Sequence, residues 1–158
     1  VEKLQDNPTD YECRSYMMWA SALACCDIFA AGTGGGTIAA HAIESEIGAM
    51  YDTTHGAGLA VILPALMKYR LSQYTSTTAR FAEQIMKIER RGRMTDADIA
   101  LEGIEAFRKW LKKVGCPTTL KELGIKKEHL VKIAERISLN PWSPDKETAL
   151  GVLETYYE

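Results

Sequence analysis

Residues 41–60 read HAIESEIGAMYDTTHGAGLA, and they determine both the fold and the chemistry that can be expected of this chain. Apolar residues recur at helical spacing from about residue 37 to residue 50, which predicts a helix. A short break at 51–54 follows, and a second apolar run then begins. The segment holds two of the three histidines in the chain. We expect His41 to lie on the helix and His55 to lie in the turn after it.

Two imidazoles at this spacing indicate half of a metal site. Neutral imidazole is the commonest metal ligand in proteins, and His41 and His55 reach one cleft if their two segments pack together. Gly56 and Gly58 allow a close approach of the backbone to a ligand. A catalytic first-row metal takes three or four protein ligands, so two histidines do not complete a site. A pair of structural, hydrogen-bonded histidines is the alternative interpretation.

The rest of the chain predicts an all-α fold of six to eight helices in a single domain over 1–158. No alternating apolar pattern typical of strands is present, and no linker or repeat interrupts the sequence. A first helix over 9–30 is apolar around most of its circumference, so we expect it at the centre of the domain, with Tyr11 and Trp19 in the core. A glycine-rich turn at 32–36 ends it. Further helices are predicted at 37–50, 76–90, 95–115 and 126–138, with a last one capped by Asp145.

Composition excludes several classes of partner. Charged residues make up 25% of the chain and the net charge is −2, so we expect neither a nucleic-acid nor a membrane partner. The longest apolar run, 59–67, is about half of a membrane span. The four cysteines lack the spacing of a zinc site and are expected to be reduced, buried thiols. Reduced thiols favour a cytoplasmic protein.

Three other side chains could contribute to, or be mistaken for, a site. Either Glu44 or Glu46 could accept a hydrogen bond from a metal-binding imidazole, although a salt bridge between helices is the commoner use of such a glutamate. His129 lies in a strongly charged stretch, so we expect it to face solvent.

One resemblance is specific. The stretch THGAGLA at 54–60, the VILP that follows it and the MWA at 18–20 resemble the iron-containing alcohol dehydrogenase family, closest to its butanol dehydrogenase branch. The resemblance covers about residues 8–90 and implies the family's helical, dehydroquinate synthase-like C-terminal domain. It implies that His41 and His55 bind the catalytic divalent metal, Fe²⁺ first and Zn²⁺ as the alternative. Ser45 stands where many members carry a histidine thought to assist proton relay, and a hydroxyl cannot hold a proton near neutral pH.

The same resemblance implies an NAD(P)-dependent parent enzyme that interconverts small primary alcohols and aldehydes. In the family an N-terminal α/β domain binds NAD(P), and an aspartate and a histidine before Val1 would complete the metal site. We therefore expect a fragment that is inactive by itself and holds no nucleotide-binding residue that can be named, with a homodimer as a further expectation. The alternatives are a non-enzymatic helical interaction domain and a zinc-dependent relative of glycerol dehydrogenase or dehydroquinate synthase.

Overall fold

A computed structural model of the chain describes residues 1–26, 39–141 and 143–158. These residues form helices and no strand, so the all-α prediction is confirmed. The chain divides into two compact units, Val1–Thr37 and Ile38–Glu158. The helices in chain order are α1 (Glu2–Asp6), α2 (Tyr11–Cys25), α3 (Ala39–Tyr51), α4 (His55–Tyr69), α5 (Leu71–Gln84), α6 (Asp96–Lys113), a 3₁₀ turn (Lys127–His129), α7 (Leu130–Ser138) and α8 (Lys146–Thr155).

The described part of the first unit, residues 1–26, contains α1 and α2. Asp10 caps α2 by accepting the backbone N–H of Cys13 at 2.7 Å. No residue of α2 is buried, and Tyr11 and Trp19 are 85% and 66% exposed, so the prediction of a central helix with these aromatics in the core is wrong. An apolar helix surface is covered only where another element packs on it, and among residues 1–26 the helix that packs on α2 is the five-residue α1. The predicted helix end at residue 30 and the turn at 32–36 lie outside the described residues.

In the second unit the central helix is α4. It packs against α3, α5, α6 and α8, and it is apolar around most of its surface. A helix that is apolar all round is expected in the middle of a domain. His55 is the first residue of α4, so it begins a helix and does not lie, as predicted, in the turn before it.

The main core is formed by one face each of α3, α4, α7 and α8. On α7 the buried residues follow the predicted stripe at helical spacing, Leu130, Ile133, Ala134 and Ile137. They belong to one buried cluster with aliphatic side chains of the other three helices, among them Ile43, Ile47, Val61, Ile62, Val152 and Leu153. This packing fixes the position of α3 relative to α4, the two helices that carry the histidines.

A smaller core joins α5 to α6. Ala79 and Ala82 of α5 meet Ile99 and Ala100 of α6, and all four are buried. The predicted helix at 76–90 is wrong in its bounds, because α5 begins directly after Arg70 and ends at Gln84.

Two expectations about surface properties can be compared with the structure. No helix in the described ranges is long and apolar enough to cross a membrane. All four cysteines are free, but two are exposed and two half-buried. The expectation of buried thiols is therefore wrong.

Candidate functional site

The two histidines are positioned by a helix, a short connection and the next helix. His41 lies in the first turn of α3, and His55 opens α4 after the connection at 52–54. Asp52 has φ of +53°, the left-handed conformation that lets the chain reverse directly after α3. The carbonyl of Thr54 then accepts the backbone N–H groups of Ala57 and Gly58 at 2.9 and 3.0 Å and so starts α4.

This geometry brings the two imidazoles together. His41 Nδ1 lies 3.1 Å from His55 Nε2, and the ring centroids are 5.1 Å apart at 33°. Both side chains are exposed, with 55% of the His55 side chain accessible. The facing nitrogens are therefore within reach of a ligand from solvent.

Glu44 lies one turn after His41 and contacts the other side of the His55 ring. Its Oε2 is the hydrogen-bond partner of His55 Nδ1. The residue is 1% exposed, and its buried Oε1 has no hydrogen-bond partner among the residues that the structure describes. A Cβ on Gly58 would lie 2.5 Å from Glu44 Cγ, so a side chain there would occupy the space that the glutamate fills. Glu44 thus fills a space beside Gly58, directly behind His55, and we call this space the cradle.

The remaining candidates have other surroundings. Glu46 accepts a hydrogen bond from Arg136 Nε of α7 at 2.8 Å, the salt bridge between helices that was its alternative role. Ser45 is exposed, one helical turn after His41. His129 is half-buried and its Nδ1 lies 2.6 Å from the Tyr51 hydroxyl, so the prediction that it faces solvent is wrong.

The facing nitrogens fit the chemistry of a metal site. Two ligand nitrogens at about 2.0–2.1 Å from one cation, with an angle of about 90–110° between them, lie roughly 2.9–3.4 Å apart. The separation of His41 Nδ1 and His55 Nε2, 3.1 Å, is within that range. Within residues 1–26, 39–141 and 143–158, no group of three or more His, Cys, Asp or Glu side chains could hold a metal. The described residues therefore supply a pair of ligands.

The sequence indicates the two histidines, but it does not distinguish Glu44 from Glu46 as the hydrogen-bond partner of an imidazole. The spacing i, i+3 from His41 to Glu44 and the small residues Gly48 and Gly58 are the signal that favours Glu44. That signal becomes visible only when α4 is placed against α3, because Gly58 is remote from Glu44 in sequence.

Comparison with known proteins gives consistent results. The family described as "Fe-containing alcohol dehydrogenase family, C-terminal" matches residues 1–157. The chain is 31% identical over 157 residues to the probable NADH-dependent butanol dehydrogenase 1 of Bacillus subtilis, covering 96% of this chain and 40% of that protein. It is 34% identical over 132 residues to NADH-dependent butanol dehydrogenase A of Clostridium acetobutylicum, covering 83% of this chain and 33% of that protein.

A solved structure supports the same assignment. The crystal structure of NADH-dependent butanol dehydrogenase A from Thermotoga maritima superposes with a TM-score of 0.90 at 35% identity, over 99% of this chain and 42% of that one. The chain thus spans about two fifths of the length of that protein. The match over residues 1–157, the relatives and the shared fold together show that this chain belongs to the iron-containing alcohol dehydrogenase family, as its C-terminal part.

Proposed function

We propose that His41 and His55 are two ligands of the catalytic metal of an NAD(P)-dependent alcohol dehydrogenase that interconverts small primary alcohols and aldehydes. The observation that carries this proposal is the 3.1 Å separation of His41 Nδ1 and His55 Nε2, which belong to two exposed side chains. Membership of an iron-containing family supports Fe²⁺ as the metal, with Zn²⁺ as the alternative. The relatives whose names state NADH dependence and butanol support the nicotinamide cofactor and the alcohol.

The described residues would hold and orient the reacting centre. A divalent metal supplies Lewis-acid polarisation of a substrate oxygen when it is bound. His41 and His55 would hold it on the exposed side of α3 and α4, and their short connection fixes their mutual orientation. Ser45 can donate and accept a hydrogen bond on the same helix as His41 but cannot store a proton near neutral pH, so it would serve as a bridge in a proton path and not as its acid.

The complete enzyme needs groups that the described residues do not provide. We propose that the other metal ligands and the NAD(P)-binding domain come from a further part of the protein, because the chain spans 40% of the B. subtilis relative. A cation held by two ligands is bound more weakly than one held by four. We therefore expect residues 1–158 alone to bind metal weakly and to show no dehydrogenase activity.

Calorimetric titration of the 158-residue chain with Zn²⁺, Ni²⁺ and, without oxygen, Fe²⁺ tests the site. Binding should be lost in His41→Ala and in His55→Ala. His129→Ala is the matched control, because it removes the third and last histidine of the chain, which pairs with Tyr51 instead. Binding that persists in both of the first two variants contradicts the assignment. In the complete enzyme, NADH- or NADPH-dependent reduction of butyraldehyde that survives His55→Ala contradicts the catalytic role.

One observation favours a second candidate, a non-enzymatic helical domain with structural histidines. A distance of 3.1 Å also suits a direct N–H···N hydrogen bond between His41 and His55. In that case the two alanine variants lower the stability of the chain, and Zn²⁺ shifts the melting temperature of neither the parent nor the variants. Metal-dependent stabilisation of the parent alone supports the metal site.

A further inference from the structure

We propose that Glu44 is a positioning residue that sets the protonation pattern of His55, holding the proton on Nδ1 and leaving Nε2 free toward His41. The proposal deepens the metal site proposed above and rests on it for its functional meaning. Its structural content concerns the chain without metal and can be tested separately.

The hydrogen bond between Glu44 and His55 determines which ring nitrogen of His55 carries the proton. A carboxylate accepts hydrogen bonds, and we assign that direction to the contact between Glu44 Oε2 and His55 Nδ1, which places the imidazole proton on Nδ1. A neutral imidazole carries one N–H, which leaves Nε2 with its lone pair. Nε2 is the atom that lies 3.1 Å from His41 Nδ1. Glu44 therefore selects the tautomer in which the lone pair of His55 Nε2 faces His41 and is available to bind a metal cation.

The carboxylate of Glu44 is buried behind His55. Glu44 is 1% exposed, and a buried carboxylate is costly unless it is paired. In the described part of the chain the structure records one ion-pair partner for it, the His55 ring, and its Oε1 has no hydrogen-bond partner. Positive charge on the far side of that ring would stabilise the carboxylate, as in the carboxylate–histidine–metal arrangements of other proteins. The surroundings of Glu44 thus favour a cation at Nε2.

The space around the Glu44 side chain is narrow where it meets α4. A Cβ on Gly58 would lie 2.5 Å from Glu44 Cγ and 2.6 Å from its Oε1, and a Cβ on Gly48 would lie 3.5 Å from Oε1. The glutamate side chain is therefore confined by the backbone of α4 at Gly58, while Gly48 on α3 stands at ordinary contact distance. Confinement fixes the carboxylate against His55 and limits rotation of the ring, which is what a positioning residue must do.

The neighbouring glutamate provides a matched control. Glu46 lies on the same helix and its carboxylate is paired with Arg136, not with an imidazole. Removing either carboxylate changes the net charge by one unit, so Glu46→Gln separates a general charge effect from a contact with His55.

The first measurement is a two-bond ¹H–¹⁵N correlation spectrum of the metal-free 158-residue chain, which reports the tautomer of each of its three imidazoles. We expect His55 to carry its proton on Nδ1 in the parent and in Glu46→Gln. A mixed or Nε2-protonated His55 in the parent overturns the proposal, whatever any variant does. In Glu44→Met, which fills the cradle without an acceptor, the His55 tautomer should become mixed.

The second measurement is titration with Zn²⁺ followed in the same spectra. Loss of an outer partner of a ligating histidine typically lowers metal affinity by about 10–100-fold, and we expect that loss in Glu44→Met. Glu46→Gln should change the affinity less than threefold. Glu44→Gln keeps the size of the side chain and an acceptor oxygen, so it should retain the Nδ1–H tautomer and lose less affinity than Glu44→Met. If Glu44→Met does not fold, Glu44→Leu replaces it, because leucine also lacks an acceptor. An affinity within threefold of the parent in the folded apolar variant overturns the positioning role.

The two measurements separate this inference from the proposed function. A parent chain that shows the Nδ1–H tautomer but no Zn²⁺ binding contradicts the metal site and leaves the Glu44–His55 contact standing. A parent that binds Zn²⁺ through both histidines with the other tautomer contradicts only the role of Glu44.

Discussion

Replacement of Gly103 by alanine tests a close crossing of α5 and α6 in the second unit. A Cβ at position 103 of α6 would lie 2.2 Å from Ala82 Cβ and 2.8 Å from Ala82 Cα, both in α5. Carbon atoms pack at about 3.5–4.0 Å, so the added methyl is at least about 1.3 Å too close. Neither atom can turn away by a rotamer change, because Ala82 Cα belongs to the backbone and Ala82 Cβ is bonded directly to it. The two helices must therefore separate or bend.

The expected loss of stability follows from two opposing terms. Insertion of a methyl group into a packed core typically costs about 1–3 kcal/mol, and a clash that only a backbone shift relieves belongs at the upper end. Alanine gains up to about 1 kcal/mol over glycine in a helix interior. The net effect of Gly103→Ala is a loss of about 2 kcal/mol. At roughly 4 °C per kcal/mol for a domain of this size, the melting temperature should fall by about 8 °C.

Thermal unfolding followed by circular dichroism at 222 nm measures this loss. Gly56→Ala is the matched control, because a Cβ there meets nothing within 4 Å, and it should leave the melting temperature unchanged or slightly raised. Ala82→Gly combined with Gly103→Ala should cost at least about 1 kcal/mol less than the sum of the two single changes, since the two methyl positions collide. A Gly103→Ala protein that melts with the parent, or an additive double variant, refutes the close crossing.

Three further outcomes follow from single contacts. Tyr51→Phe removes the hydroxyl that accepts the Lys126 backbone N–H at 3.1 Å and forms a hydrogen bond with His129. The free energy of unfolding measured in urea should fall by about 1–2 kcal/mol. An unchanged urea midpoint would contradict this. The Thr148 backbone N–H lowers the pKa of Asp145, so this cap stabilises the fold above the unfolded pKa of about 3.9 and is lost as the pH falls through the lower folded value. The melting temperature of the parent should therefore fall more steeply than that of Asp145→Asn below about pH 4, and parallel curves would refute it. Burial raises the pKa of Tyr156, so its contribution to stability is complete below its unfolded pKa of about 10 and is lost as the pH rises from there through the higher folded value. Ultraviolet titration should show one late-ionising tyrosine that is missing in Tyr156→Phe.

Local patterns in the sequence were sufficient to predict several elements. Thr95 and Asp98 form the capping box that starts α6, and Asp145 caps α8, because caps depend on residues three positions apart. The buried stripe of α7 follows from its own periodicity. The juxtaposition of His41 and His55 also belongs to this class, since a single short connection joins their helices.

Other features depend on which surfaces meet, and the sequence does not contain that information locally. The apolar side chains of α2 predicted a buried helix, yet none of its residues is buried. Glu44 and Glu46 are two residues apart on one helix, and their different roles depend on the placement of Gly58 from α4 and Arg136 from α7. Hydrophobic periodicity identifies an apolar face, but only packing shows what covers it.

The short connection between α3 and α4 makes the histidine pair a preformed chelate. The two imidazoles are separated by 14 positions in sequence, and the facing nitrogens already lie 3.1 Å apart. A cation captured by one ring meets the second at high effective concentration, so the second bond needs little further ordering of the chain. The unfolded chain must first bring the two imidazoles together across 14 positions, so it binds the same cation less well than the folded chain does. Chelation by this pair should therefore stabilise the surrounding helices, and their melting temperature should rise with the concentration of free Zn²⁺.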